Sequence, residues 1–369
     1  MNRAWFYGWY NIFVNVLSQR AQHSHQLNLI RFLCFLLVFT CHFVNNGGNG
    51  IVGNMNAWWS QEFIQRVSFF GKEGVTLFFV LSGFLLSRTL IQELAFSGKI
   101  SIIHLYSRRV RRILPLYFLF LFLLLLINLV SNHSGFNSDE IPYLLAFVYN
   151  WGLYFDLIGG TRAVITWSLS IEAQLYLIFP LFLLFKVKNR FLYCATSFFV
   201  MGSCSLVFLE MDPRDSLYST TSYLVPFSFG ILMAYKENWF RVTSVSYSLI
   251  TTIAFIYVLA YPYYYVDLLL LNSGSIHFYL TPIFFICLLH IIDKFFRENS
   301  FTLQVANLGK IGYGLYLYHF IIQLMFIRFN FFYDQNGFSV FGVLLALIVT
   351  IFISYFSYNY FEKFFLKHR

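Results

Sequence analysis

Charge is what this chain has least of. Only 11% of its 369 residues are Asp, Glu, Lys or Arg, against 59% hydrophobic and 22% aromatic. Soluble domains are about a quarter charged, so this composition, with a mean hydropathy of +0.65, excludes a water-soluble fold. Cysteine is scarce as well. Cys34, Cys41, Cys194, Cys204 and Cys287 all fall in apolar stretches, and none stands in a CxxC or Cys/His spacing, so no disulfide framework and no metal site is expected. Short segments of alternating polarity are missing, which excludes an outer-membrane barrel: Ile113 to Val130 is apolar on every face. Internal repeats, low-complexity tracts and matched pairs of Gly/Pro-broken spans are absent too, the last removing the sequence sign of an inverted-repeat transporter. Residues 1–28 contain Trp, Tyr and Phe, but Asn11, Asn15 and Gln19 interrupt any apolar core and no small-residue cleavage site follows. They read as a cytoplasmic or membrane-surface segment, not a signal peptide.

What remains is an all-α integral membrane protein. A membrane span needs about 20 mostly apolar residues, and ten such stretches are expected at 29–45, 69–90, 113–130, 166–185, 191–209, 221–236, 245–265, 277–293, 311–329 and 339–361. They leave short connections and no room for a separate soluble domain. The stretch 142–158 is apolar and aromatic but holds Pro142, Asn150, Gly152 and Asp156, and is expected to be a short lateral or re-entrant piece. Charge distribution supports that choice. With the N-terminus in the cytoplasm, 20 basic residues fall inside and five (Arg66, Lys72, Arg162, Arg214, Arg328) outside; an eleventh span at 142–158 would put Lys186, Lys188 and Arg190 outside, against the positive-inside rule. Both termini are therefore expected in the cytoplasm, around a bundle of about ten transmembrane helices. The resulting organisation is an N-terminal segment 1–28, a membrane domain 29–363 and a cytoplasmic tail 364–369. The net charge of +9 is then read by position, as lipid or ligand contact, with no nucleic-acid partner expected.

Ionisable groups inside spans usually face a protein interior or a watery cavity. Arg31 and His42 stand eleven residues apart in the first span, which is three helical turns plus about 20°, so they share one face about 16 Å apart along the axis. Each has a plain structural reading, a snorkelling arginine and a hydrogen-bonded core histidine. In the fourth span Glu172 lies six residues after Thr166, about 9 Å in by helical rise and level with His42. The two could form a base and its orienter; a structural salt bridge, or a bond from Ser168 to Glu172, is the alternative. Arg108, Arg109, Arg111 and Arg112 sit at the inner mouth of the third span. They suit a polyphosphate ligand or serve only as topology and anionic-lipid anchors. Ser82-Gly83 reads as a close-packing site. His319, after Tyr313, Tyr316 and Tyr318, reads as a satisfied core histidine or a cavity wall, and the other histidines carry no assignment.

Several segments in order resemble the acyltransferase-3 family of membrane O-acyltransferases, which modify bacterial surface polysaccharides and related glycans. They are Leu29-Ile30-Arg31 through His42; Gly74-Val75-Thr76 through Ser82-Gly83-Phe84; Arg109-x-x-Arg112-Ile113-x-Pro115; Thr166-Trp167-Ser168 through Glu172, with Gln174-x-Tyr176; Gly312-Tyr313-x-x-Tyr316-Leu317-x-His319; and Tyr360-Phe361-Glu362-Lys363. The resemblance implies transfer of an acyl group, usually acetyl, from cytoplasmic acyl-coenzyme A to a glycan or lipid-linked sugar hydroxyl at or beyond the outer face, in a protein of the bacterial inner membrane. Arg31 and His42 match the family's essential pair, and Arg109 and Arg112 its arginine motif. Coenzyme A would dock on Arg109, Arg112 and Arg31, with His42 as catalytic base or acyl carrier and Glu172 orienting it. Two departures matter: Ala173 stands where many relatives carry a second glutamate, and the carboxy-terminal esterase-like domain of longer relatives is missing, so the membrane domain is expected to perform the transfer. A transporter or flippase with a buried polar path is the alternative, which the arginine cluster and the motif order disfavour. Intact Arg31 and His42 argue against a catalytically dead scaffold.

Overall fold

The computed structural model describes residues 25–43, 61–131, 137–185, 187, 189–208, 213–236, 277–295, 299–329, 331, 333–334, 337–338 and 340–367. Nearly all of it is helix: α1 His25–Phe43, α2 Gln61–Ser97, α3 Ile102–Ser131, α4 Ile141–Leu145, α5 Tyr149–Tyr154, α6 Thr166–Phe182, α7 Arg190–Phe208, α8 Pro213–Tyr218, α9 Leu224–Tyr235, α10 His277–Phe295, α11 Ser300–Leu308, α12 Gly312–Arg328, α13 Val340–Ser357 and α14 Lys363–Lys367. Among the described residues the only strands are a two-residue ladder between Tyr333–Asp334 and Gly337–Phe338. Among the described residues six helices are long and apolar enough to cross a membrane: α1, α2, α3, α7, the run Ser300–Arg328 and the run Phe341–Leu366. The other expected spans come out shorter. Residues 166–185 give the 17-residue α6, 221–236 the 12-residue α9 and 277–293 the apolar part of α10, while 245–265 lies outside the described residues.

Burial patterns say which helices sit where. Along α1 the buried side chains Leu27, Ile30, Cys34 and Val38 recur at three- and four-residue steps, and Phe32, Phe35, Phe39 and Phe43 form a second such stripe, as on a helix packed on more than one side. At the centre lies α2, with α9 pressed against it. Gly83 and Gly230 make that approach possible, because an added methyl at either would collide with the backbone of Phe227 or Val80. Small residues at a helix crossing let backbones meet in this way. The reverse pattern marks α3 and α13. Phe118, Phe122, Leu125 and Leu129 on α3, and Phe341, Leu344, Ile348, Phe352 and Phe356 on α13, are all exposed at helical spacing, as on lipid-facing helices.

Residues 142–158 do not form one helix. They break at Phe147, whose φ of 55° is left-handed, and the two short helices α4 and α5 fold back over the start of α6. The Phe147 carbonyl accepts Gln174 Nε2 at 2.8 Å, and Gln174 also reaches Asn150 Oδ1 at 2.9 Å and accepts Trp151 Nε1 at 3.1 Å. Thr220 donates to the same Gln174 oxygen while Asn150 donates to the Tyr218 carbonyl at 2.9 Å. One α6 side chain thus fastens the segment to α6 and to the α8–α9 connection. Nearby, the buried Glu140 carboxyl accepts Tyr149 at 3.2 Å and Thr161. Burial raises its pKa above the usual carboxylate range, with those hydrogen bonds opposing.

Candidate active site

Helices α1, α2, α3, α6 and α12 enclose a cavity of about 250 Å³ whose walls include Arg31, Arg109, Arg112, Ser82, Glu172 and Tyr176. Three guanidinium groups therefore converge from two helices. On α3, Arg109 and Arg112 are three residues apart and share a face, while the neighbours turn away: Arg108 pairs with Glu93 at 3.4 Å and Arg111 donates to Ser107 at 2.7 Å. Pro115 sits in the same helix; lacking an N–H, it leaves the Arg111 carbonyl without its helical donor. The Arg109 guanidinium lies 4.6 Å from the centre of the Tyr176 ring, a cation–π contact. Arg31 donates to Asn28 at 2.8 Å, and the turn Gly309–Ile311 with Gly312 lies against this start of α1. A methyl at Gly309 would strike the Asn28 backbone, and one at Gly312 would touch Arg31 Cβ at 4.0 Å. A second recess of about 250 Å³ shares Arg31, Leu85 and Thr89 and adds Arg88 and Gln92.

Glu172 belongs to this arginine end. It accepts Ser82 at 3.0 Å and Tyr176, and Tyr176 also donates to Ser82 at 3.1 Å. Neither expected partner is there. Ser168 instead meets Tyr316 at 2.6 Å and donates to the Ile165 carbonyl at 3.3 Å, and His42 is not in the wall of the cavity. A count from Thr166 as a surface residue does not apply, because Thr166, like Ala163 and Ile165, is fully buried and α6 begins inside the protein. Ser82 is accordingly a polar ligand of Glu172, while the packing role expected of Ser82-Gly83 falls to Gly83 alone.

His42 lies further along α1, in an aromatic setting. Its ring centre is 5.3 Å from that of His319 and 5.7 Å, edge-on, from Phe320. His319 is fully buried, with Phe35, Phe39 and Tyr316 also on its ring at 5.8, 6.3 and 5.7 Å. One turn on, Gln323 donates to the Phe39 carbonyl at 3.2 Å and ties α12 to α1. Among the described residues no cluster of metal-ligating side chains occurs.

The family description "acyltransferase domain" matches residues 24–359, most of the chain. The chain belongs to this acyltransferase family. The chain is 26% identical over 340 residues to "O-acetyltransferase OatA" of Staphylococcus aureus (strain NCTC 8325 / PS 47), covering 85% of this chain and 54% of that protein. It is 26% identical over 380 residues to "Putative peptidoglycan O-acetyltransferase YrhL" of Bacillus subtilis (strain 168), covering 94% and 55%, and 30% identical over 185 residues to an uncharacterized protein of Haemophilus influenzae, covering 44% and 74%. It spans about half the length of the first two relatives. No solved structure matches.

Three residues of the chain carry more than the sequence revealed. His319 is not a satisfied core histidine, since its Nε2 has no hydrogen-bond partner among the described residues. Gln174 looked like a motif letter and proves to be a fastener. Glu362, in a π-helical turn Tyr358–Glu362, is buried within electrostatic reach of Arg112; only its place in the last motif signalled it.

Proposed function

We propose that this acyltransferase moves an acyl group, acetyl first, from cytoplasmic acyl-coenzyme A to a hydroxyl of a surface-polysaccharide or lipid-linked sugar at the outer face of a bacterial inner membrane. One observation carries the reading: α1 is unbroken from an arginine-lined cavity at Arg31 to His42, about 16 Å along the same face. Guanidinium groups bind phosphate oxygens in pairs, so Arg109, Arg112 and Arg31 suit the phosphates of the donor. A pantetheine arm is about as long as the rise from Arg31 to His42, which brings the thioester to the histidine. There His42 takes the proton of the acceptor hydroxyl, or first accepts the acyl group itself. Glu172 stands with the donor arginines in this scheme, where Ser82 and Tyr176 hold it, and not behind His42. Acetyl and a cell-envelope glycan are carried over from the names of OatA and YrhL.

The test is direct. Purified full-length protein is titrated with acetyl-coenzyme A by calorimetry and assayed for slow release of free coenzyme A, and surface glycans are compared by mass spectrometry with and without the gene. Saturable binding, slow release and an acetyl group lost with the gene are expected. Absence of donor binding and of any glycan change would refute the reading.

A further inference from the structure

We propose that His319 is a positioning residue for His42: its Nε2 accepts the ring N–H of His42, which leaves the other nitrogen of His42 bare to take a proton from the acceptor hydroxyl. This rests on the reading of His42 given above. His319 Nδ1 lies 3.2 Å from the Leu315 carbonyl; a carbonyl can only accept, so in the neutral ring the proton is on Nδ1 and Nε2 carries a lone pair. That lone pair is buried, and among the described residues nothing donates to it. A buried acceptor left in this way is destabilising, a cost that an aromatic or leucine side chain in the same place would avoid.

The surroundings then name the donor. Of the rings packed on His319, those of Phe35, Phe39 and Phe320 have no polar hydrogen. Tyr316 has one, but it is engaged with the Ile165 carbonyl at 3.0 Å and with Ser168 at 2.6 Å. His42 is left, 5.3 Å away between ring centres, a distance that a small ring rotation or one intervening water closes. Gln323, gripping the Phe39 carbonyl, holds α12 in the register that sets the two imidazoles side by side.

The step balances. The hydroxyl O–H bond breaks and its proton passes to the bare nitrogen of His42. The oxygen forms the ester bond to the acyl carbon as the C–S bond breaks, and the departing thiolate takes the proton from His42. Throughout, His319 gains no proton; it fixes which nitrogen of His42 faces the reaction.

Release of coenzyme A from acetyl-coenzyme A is followed for the full-length wild type, His319→Phe, His319→Gln, His42→Ala and the double variant His42→Ala, His319→Phe. His319→Phe is expected to lower kcat about 10- to 100-fold, the size seen when the orienting partner of a ligating histidine is lost, with KM for the donor unchanged and no fall in melting temperature. His319→Gln retains an acceptor and recovers part of the rate, and carries the comparison should His319→Phe fold poorly. The double variant should be no slower than His42→Ala, because the two residues act as one unit. A His319→Phe rate within twofold of wild type, or losses that multiply in the double variant, would overturn the proposal. Nitrogen-15 spectra of histidine-labelled protein separate this from a failure of the functional reading: even with no coenzyme A released by wild type, the ring nitrogens of His42 should shift in His319→Phe, and unchanged shifts would refute the pairing.

Discussion

Four arginines within five residues of α3 have two different fates. Arg108 and Arg111 are held by Glu93 and Ser107, whereas Arg109 and Arg112 line the cavity. Removing the first pair should therefore leave donor affinity within about twofold, since such exposed pairs are worth under about 1 kcal/mol. Arg109→Ala with Arg112→Ala should weaken acetyl-coenzyme A binding at least about tenfold, one charge-assisted hydrogen bond being worth about 1.5–3 kcal/mol, and the corresponding lysine changes should fall between. Calorimetry on the two double variants checks this, and equal losses in both would return all four arginines to topology. At the far end of α1 the expectation is of another kind. His42→Ala should cut coenzyme A release about 10²- to 10⁴-fold, as removal of a general base does, with donor affinity unchanged; a well-folded variant with near-normal release would exclude the role.

At the scale of elements, the segment 137–165 is held by few but well-connected groups. Gln174→Ala would strand Asn150, Trp151 and the left-handed turn at Phe147. At about 1–3 kcal/mol for each buried group left without its partner, the melting temperature in detergent should fall by several degrees, and Gln174→Glu should not rescue it, because a carboxylate cannot donate to the Phe147 and Asn150 oxygens that Nε2 serves. Glu140 in the same segment gives a pH dependence. Its carboxyl has a pKa raised by burial, so its native form prefers to keep a proton: the stability it lends is full below the unfolded carboxylate range and declines as pH climbs through the raised value. Glu140→Gln should flatten that decline, and thermal melts of both proteins from pH 4 to pH 8 would show it; parallel curves would clear Glu140. How much of this was legible in the sequence follows from which physics dominates. The eleven-residue spacing of Arg31 and His42 depends only on helical geometry, and α1 keeps it. The depth of Glu172 depends on where the chain meets the surface, and tertiary burial of Thr166 defeats any count along one helix. The break at Phe147 was hinted by Pro142 and Gly152, yet its fastening by Gln174 joins residues about 25 positions apart, which no local pattern encodes.

For the whole molecule, the exposed apolar stripes of α3 and α13 and the six long apolar helices make it an integral membrane protein whose sidedness rests on basic residues. Single cysteines at Lys99 and Asp139, both exposed, in a background free of native cysteine, should react with an impermeant reagent from opposite faces of sealed vesicles; reaction of both from one face would overturn cytoplasmic termini. Within the bundle, α1 is one helix with Arg31 near one end and His42 near the other, the residues proposed above for phosphate binding and for transfer. On the proposed reading it acts as a gauge, and what it measures is the interval from the anchored head of the donor to the thioester carbonyl, not the length of what is attached beyond. Acetyl and longer acyl groups would present their carbonyls at the same height, their tails projecting past His42, so any choice among acyl groups must be made by the aromatic walls of Phe320 and its neighbours.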